Sequence, residues 1–401
     1  MTPSLYIHIP FCAQKCDYCD FFSIPLNNCE NIKYSENYVD SVLNELNFYK
    51  SFFSVDSWKT IYIGGGTPSK LSPSLLEKLI INAKKTPSEI QPLEITVEAN
   101  PQDITIPFIQ SLKSAGVTRI SMGIQGADNK ALKKINRGCS EKNIFDALNL
   151  LESHWDKDIS VDFIAGLPGQ TYSSFSEQFD KILSYHITHV SLYTLTVEEG
   201  TPLFNKISDK KISFSQEKCD KMWNTGKNIL KKKGFHQYEI SNFSIPGKES
   251  IHNSSYWQQD DYIGCGCTAA GTIYGKTGLR WNVTKNIHAY ENFWLQKNES
   301  KNETLNSLQD KGLLSIEKLS KETMEFEFLM MGLRMNRGIS LLEFKKRFGK
   351  TLEESVGEKI NIFREWENEK LAKTIREKND VRYALNSRGI MLLNRFLESL
   401  L

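Results

Sequence analysis

Long apolar runs are missing from this sequence. No stretch approaches the roughly 18 consecutive apolar residues that a membrane span needs, so no integral membrane segment is expected. The opening residues, MTPSLYIHIPFC, also lack the basic head and long apolar middle of a secretory signal. A cytoplasmic location is therefore expected. An excess of charge of one sign is absent as well: 50 Lys and Arg stand against 48 Asp and Glu, a formal net charge of +2. That balance gives no broad field for nucleic acid or an anionic membrane, and no nucleic-acid partner is expected. Cysteine is modest in number but unevenly placed, at positions 12, 16, 19, 29, 139, 219, 265 and 267. In a cytoplasmic chain these are reduced thiols. Three of them share HIPFCAQKCDYC (8–19) as C-x3-C-x2-C, a cluster better suited to metal than to cross-linking. The other five are expected to be mostly small buried side chains.

What is present in quantity is alternation. Runs rich in β-formers, LYIHI, TIYIG, EITVEA, RISMGI, ISVDFIAG and HVSLYTL, are separated by helical stretches. Segments such as YVDSVLNELNFYKSFF and SPSLLEKLIINAKK space apolar residues by three and four, as helices covering a sheet do. The pattern predicts parallel strands joined by crossover helices, an α/β fold in which six βα units, a partial (β/α)6 TIM-like barrel, occupy about 250 residues. The unusual residues follow the strands: the cysteines, then GGGTPS (64–69), EANPQ (98–102), GIQG (123–126), DFIAGLPGQT (162–171) and TVEEGTP (196–202). Loops after parallel barrel strands share one face, so these motifs are expected to converge on one site. Around residue 295 the texture turns polar, in WLQKNESKNETLNSLQDKGLLSIEKLSKE. The expected division is a barrel domain with an HNSSYW-containing extension over 1–295 and a smaller, mainly helical, winged-helix-like domain over 296–401. No concentrated basic recognition helix supports DNA binding there, which leaves a structural or partner-contact role.

A four-iron cluster that only carries electrons takes one thiolate per iron, so three cysteines leave one iron open to another ligand. Cys12, Cys16 and Cys19 are the expected metal ligands. Zinc held by these three and His8 is the alternative, although structural zinc motifs usually come as two CxxC-like halves. GGGTPS has neither GxGxxG spacing nor a GK[ST] phosphate loop, so a tight turn is its plain alternative reading. Taken together, C-x3-C-x2-C with an aromatic before its third cysteine, GGGTP and the acidic strand end EANP resemble the radical S-adenosylmethionine (SAM) superfamily. That resemblance implies a [4Fe-4S] cluster whose open iron is chelated by the amino and carboxylate groups of SAM. It also implies SAM cleavage to methionine and a 5′-deoxyadenosyl radical. Gly64, Gly65 and Gly66 would then let backbone approach the methionine end, with Thr67 beside them also cofactor-binding, and Glu98, Gln125, Arg137 and Asp162 would contact SAM. Tyr6 and Tyr18 complete the implied cofactor-binding set, with core packing the alternative for Tyr6.

Further along, GFHQYEISNFSIPG (234–247), IHNSSYW (251–257), DYIGCGC (261–267) and the C-terminal part resemble the oxygen-independent coproporphyrinogen III oxidase-like family, specifically its HemW-like heme-chaperone branch. Phe21 stands where the oxidase type usually carries a fourth cysteine, and HNSSYW is similar to the branch's heme-associated motif. The resemblance implies heme as a ligand, with His252, Asn253, Tyr256 and Trp257 as candidate heme-binding residues. Neutral imidazole is a common axial ligand, whereas a helix cap or a satisfied buried polar group is the alternative for His252 and Asn253. The expected function is a heme chaperone that hands heme to client hemoproteins, for example respiratory enzymes, with homodimerisation left open and no catalytic residue assigned. An oxygen-independent coproporphyrinogen III oxidase, converting two propionates to vinyl groups, is the alternative activity, and a radical SAM reaction on another substrate is the third. Cys265 and Cys267, one residue apart, make an incomplete metal site and are expected as buried thiols.

Overall fold

All six β-rich runs are strands: β1 (Ser4–Ile9), β2 (Thr60–Gly65), β3 (Glu94–Ala99), β4 (Arg119–Gln125), β5 (Asp158–Ala165) and β6 (His189–Thr194). The computed structural model describes residues 1–26, 31–275, 278–296 and 303–400. β1 to β6 lie side by side in chain order and are parallel throughout. Parallel neighbours need crossovers, which are supplied by α1 (Asn31–Phe52), α2 (Pro73–Lys84), α3 (Ile106–Ala115), α4 (Glu141–His154) and α5 (Tyr172–Ile182); α6 (Gln216–Lys232) follows β6. Local signals set their ends. The Ser72 hydroxyl accepts from the Leu75 N–H at 3.3 Å just ahead of Pro73, Ser140 and Asn143 close a capping box on α4, and α3 stops at Gly116 with φ +81. The result is the expected partial (β/α)6 barrel.

The sheet continues at both ends. Beyond β6 lie the short antiparallel strands β7 (His236–Gln237) and β8 (Asn242–Ser244), with β8 next to β6. On the other side β9 (Tyr262–Cys265) adds parallel to β1, followed by antiparallel β10 (Ala270–Ile273), β11 (Leu279–Val283) and β12 (Leu314–Lys318). Between β8 and β9 sits α7 (Ile251–Trp257), the HNSSYW segment.

Residues alternate strictly along the inner strands. Ile61 and Ile63, Ile95 and Val97, Ile120 and Met122, Val190 and Leu192 belong to the large core with Leu76, Leu79, Leu112 and Leu148 of the covering helices. Each such side chain, fully buried, stabilises the fold by about 1.5–3 kcal/mol. The other row, including Thr96, Ser121, Ser160 and Ser191, faces the barrel interior and is polar and small.

A second core forms around Phe328, Phe344, Phe363, Trp366 and Phe396. It belongs to the smaller, mainly helical, winged-helix-like domain, in which Ile339–Ser340, Val381–Leu385 and Ala372–Arg376 form a three-stranded antiparallel sheet. β12 and Leu305, Leu308 and Leu313 pack with the large core, so the expected division at 295/296 lies ahead of a segment that joins the barrel side. Residues 297–302 of that polar stretch lie outside the described residues. The two units meet through the Gln259 amide donating to Met324 O at 2.7 Å, Arg347 Nη1 donating to Gln259 O at 2.8 Å, and Arg280 Nη2 donating to both carboxylate oxygens of Glu327 at 2.8 and 2.9 Å. No helix among the described residues is long and apolar enough to cross a membrane.

Candidate functional site

The strand-end motifs do converge. A cavity of about 700 Å³ opens at the C-terminal ends of the strands and is lined by Cys12, Cys16, Tyr18 and Cys19 of the cysteine loop. Gly65, Gly66 and Thr67 line it from β2, Glu98 from β3, Gln125 from β4, Asp162 from β5, and Arg137 from the segment ahead of α4. These eleven expected residues share one space although the chain spreads them over 151 positions, from 12 to 162.

Backbone hydrogen bonds hold the cysteine loop. Asp17 N–H donates to Ile135 O at 2.9 Å, Asp17 O accepts from Leu203 N–H at 2.9 Å, and the Asp17 carboxylate pairs with Lys206. The Gln14 amide donates to Asn136 O at 2.7 Å. The loop is therefore positioned without help from its sulfurs, which lie half-buried at the mouth. Burial pushes the Cys12 and Cys19 thiols up from their ordinary range. Arg137 Nη1 lies 3.6 Å from Cys16 Sγ, and the Thr67 hydroxyl lies 3.3 Å from Cys12 Sγ. Arg137 also donates to Gly123 O and, at 2.9 Å, to Asn100 Oδ1. Among the described residues no three His, Cys, Asp or Glu side chains converge as a single metal ion requires. His8, the fourth ligand of the zinc alternative, turns into the wall, with Nδ1 3.0 Å from the Tyr6 hydroxyl.

The glycines also have a reason within the chain. A Cβ on Gly64 would meet the Glu98 carboxyl and the Tyr62 ring at 2.9 Å, and one on Gly66 would meet the Pro10 and Phe11 backbone at 2.8–2.9 Å. Gly65 has φ +115 and faces the His8 ring. The run lets the start of the cysteine loop lie flat against the end of β2. Gly65 and Gly66 then form the cavity wall, while Gly64 and Tyr6 stand behind it. Tyr6 takes its core-packing alternative, bonded to His8 and stacked with Tyr62 at 6.2 Å.

Midway down, two acids face one another across the interior. Glu98 accepts from the Tyr62 hydroxyl at 2.8 Å and from Gly65 N–H at 3.1 Å. Burial, then the neighbouring Asp162 charge, pushes the Glu98 carboxyl up to about 7. Burial pushes Asp162 up to about 6 against hydrogen bonds from Ser191 and Ser121. A cation placed between them would be stabilised by both ionised forms. Gln125 reaches the cavity from a strand irregularity with φ +66, an uncommon conformation for a non-glycine residue and one that gathers at functional sites.

The buried acid predicts a pH effect. The folded-state pKa of Glu98 lies above its ordinary 4.5, so its contribution to stability is full below about 4.5 and is lost as pH rises through about 7. Glu98→Gln should stabilise the metal-free protein by up to about 3 kcal/mol at about pH 8, with no gain at about pH 4.5. Thermal unfolding at both pH values checks this, and an equal gain at both would contradict the assignment.

The HNSSYW residues are not at the mouth. Of the four, Asn253 lines the deep end of the cavity, and His252 and Tyr256 pack inside the base of the barrel. His252 Nδ1 lies 2.7 Å from the Thr60 hydroxyl, Nε2 lies 3.0 Å from the Tyr256 hydroxyl, and the ring stacks on Tyr62 at 4.9 Å. Burial pushes this imidazole down to about 3. Neither nitrogen is free for an iron, so in this arrangement the expected axial ligand is a wall residue. Trp257 packs beneath the Arg334 guanidinium, 5.6 Å from the ring centroid. Thr60 and Gly65 mark the two ends of β2, about 17 Å apart.

Sequence reasoning passed over Asn100, Tyr62 and the inward hydroxyl row. Asn100 links Arg137 to the Thr67 hydroxyl, and EANP contained it. The polar residue at every second strand position was the signal for the others. Cys139, Cys219, Cys265 and Cys267 are buried free thiols as expected, and Cys29 lies outside the described residues. His189 is satisfied on both nitrogens by Ser160 and Tyr238, and His236 pairs with Glu249.

A radical SAM superfamily model matches residues 6–182, and a HemN C-terminal domain model matches residues 319–392. The chain is 33% identical over 400 residues to heme chaperone HemW of Lactococcus lactis, covering 99% of this chain and 97% of that one. It is 33% identical over 285 residues to heme chaperone HemW of Escherichia coli, covering 71% of this chain and 74% of that one. Among solved structures it is similar in fold to the E. coli coproporphyrinogen III oxidase HemN, with a TM-score of 0.79, 19% identity, and coverage of 100% of this chain and 90% of that one.

Proposed function

Because this chain belongs to the radical SAM superfamily and, within its oxygen-independent coproporphyrinogen III oxidase-like family, to the HemW-like heme-chaperone branch, we propose that it binds heme and passes it to a client hemoprotein. The observation that carries the reading is the 33% identity to a heme chaperone across 99% of this chain and 97% of that relative, which spans both the barrel and the smaller domain. The cytoplasm is the proposed location and a respiratory enzyme an example of the client.

The mouth residues fit a [4Fe-4S] cluster with SAM at its open iron. Three soft thiols on one anchored loop give three ligands and leave one iron for a small-molecule ligand. When bound, this pair of groups supplies one-electron cleavage of the SAM sulfonium bond. Arg137 donates to Cys16 Sγ and Thr67 approaches Cys12 Sγ, which steadies negative charge on sulfur. Glu98 and Asp162 answer the positive charge of SAM, and Gly65 and Gly66 present a flat backbone wall. Phe21 lines the same mouth with 66% of its surface exposed, in the position where a fourth cysteine would change the site's chemistry.

Hemin titration of the anaerobically reconstituted protein tests the reading. A saturable Soret titration, with coproporphyrinogen III left unconsumed in the presence of SAM and reductant, is the expected result. A titration that never saturates would remove heme binding from the account.

A further inference from the structure

A second cavity opens outside the barrel, under the outer face of α7. It holds about 410 Å³, within the range of ligand pockets, and Lys59, Leu93, Glu249, Ile251, Ser254 and Gln258 are among its lining residues. Arg119 is the one described residue that borders both this groove and the mouth cavity, and its side chain is 5% exposed. Paired with Glu94, it stands as a partition, so a ligand enters the groove from solvent without passing the cysteine loop, Glu98 or Asp162. The two faces of α7 divide accordingly. His252 and Tyr256, four apart, pack inward, while Ile251 and Ser254, three apart, and Gln258 just past the helix end line the groove. Leu93 on the groove and Ile90 three residues before it are 66% and 61% exposed, two of the three most exposed large apolar side chains among the described residues. An imidazole is tied to the same wall. His236 of β7 is 43% exposed, its Nε2 donates to Glu249 Oε1 at 2.8 Å, and its Nδ1 has no partner among the described residues. Glu249 is itself anchored to the partition, its backbone O accepting from Arg119 Nη2 at 3.4 Å.

We propose that heme binds in this outer groove with His236 Nδ1 as an axial ligand, an assignment that rests on the heme-chaperone reading. Neutral imidazole is a common ligand for heme iron, and a carboxylate on its second nitrogen fixes the ring and raises its basicity. Glu249 holds the Nε2 proton, which leaves Nδ1 as the ligating atom. His252 and His189 are buried and bonded at both nitrogens, so neither competes for the iron. Leu93, Ile90 and Ile251 give the macrocycle apolar contact. The HNSSYW helix thereby meets heme through Ile251 and Ser254, while His252 remains in the barrel wall. SAM at the mouth and heme at the base occupy separate spaces, so one chain holds both at once.

The test titrates hemin into the full-length, cluster-reconstituted protein and reads Soret difference spectra. Wild type should saturate, with an affinity unchanged by excess SAM. His236→Ala should bind about tenfold or more weakly with a shifted Soret maximum, and added imidazole should restore the maximum. Ile90→Asp/Leu93→Asp, which alters exposed side chains only, should also lose about tenfold in affinity while Tm and cluster iron stay at wild-type values. A wild-type spectrum and affinity in His236→Ala overturn the ligand assignment, as does a loss that imidazole does not restore. Unchanged affinity in the double variant, or displacement of hemin by SAM, overturns the groove. If wild type itself gives no saturable titration, the heme-chaperone reading has failed and this site with it.

Discussion

Cys16→Ala should abolish iron loading and SAM binding while the polypeptide stays folded. The reason lies in how the loop is built. Its position is set by the Asp17 backbone bonds to Ile135 and Leu203, the Asp17–Lys206 pair and the Gln14 bond to Asn136, none of which uses a sulfur. The Cys16 thiol is half-buried, with Arg137 Nη1 at 3.6 Å and a side-chain hydrogen bond to Tyr18. Removing it should cost the metal-free protein less than about 1 kcal/mol, in the range of substitutions away from a packed core. Iron, in contrast, should fall from about four per chain to less than about one, because two thiolates on a half-open loop cannot retain a four-iron cluster. Iron and sulfide assays after anaerobic reconstitution, beside unfolding curves of the metal-free proteins, separate these effects. Four irons retained in Cys16→Ala would refute the ligand assignment.

Arg119→Met should produce the opposite pattern, a large loss of stability that does not depend on iron. Arg119 and Glu94 have side chains 5% and 4% exposed and lie 3.1 Å apart. Glu94 also accepts from the Ser250 hydroxyl at 3.2 Å, Ile251 N–H at 3.2 Å and His252 N–H at 3.0 Å, which fixes the start of α7 across the barrel base. Removing the guanidinium strands a buried carboxylate, which costs about 3–5 kcal/mol. The Arg119→Met/Glu94→Gln protein should lose less than Arg119→Met alone, since no unpaired charge remains. Urea unfolding of the metal-free proteins measures both. A single variant within about 1 kcal/mol of wild type would show that the pair does not hold the base closed.

These two sites also show what the sequence could and could not disclose. C-x3-C-x2-C, GGGTPS and EANP are local motifs at strand ends, and a parallel barrel necessarily brings strand ends together, so the mouth was legible. The base was not. α7 is seven residues long, and the direction its His252 faces is set by Thr60, Tyr62 and Glu94, more than 150 positions earlier in the chain. Periodicity within HNSSYW carries no trace of them. The glycines were legible as a tight segment, but the contacts that exclude a Cβ on Gly66 were not, because those atoms belong to Pro10 and Phe11. Alternation in β3 to β6 was readable residue by residue. Recognising Thr96, Ser121, Ser160 and Ser191 as a cavity lining required knowing that the polar face turns inward.

The most direct measurement is heme transfer by one anaerobic, cluster-reconstituted preparation. Heme-loaded protein is mixed with an apo-hemoprotein acceptor, and a parallel aliquot receives coproporphyrinogen III, SAM and reductant. The account predicts that heme moves to the acceptor, whose own Soret spectrum appears, and that no protoporphyrinogen accumulates. Protoporphyrinogen formed over multiple turnovers, with heme never reaching the acceptor, would contradict it.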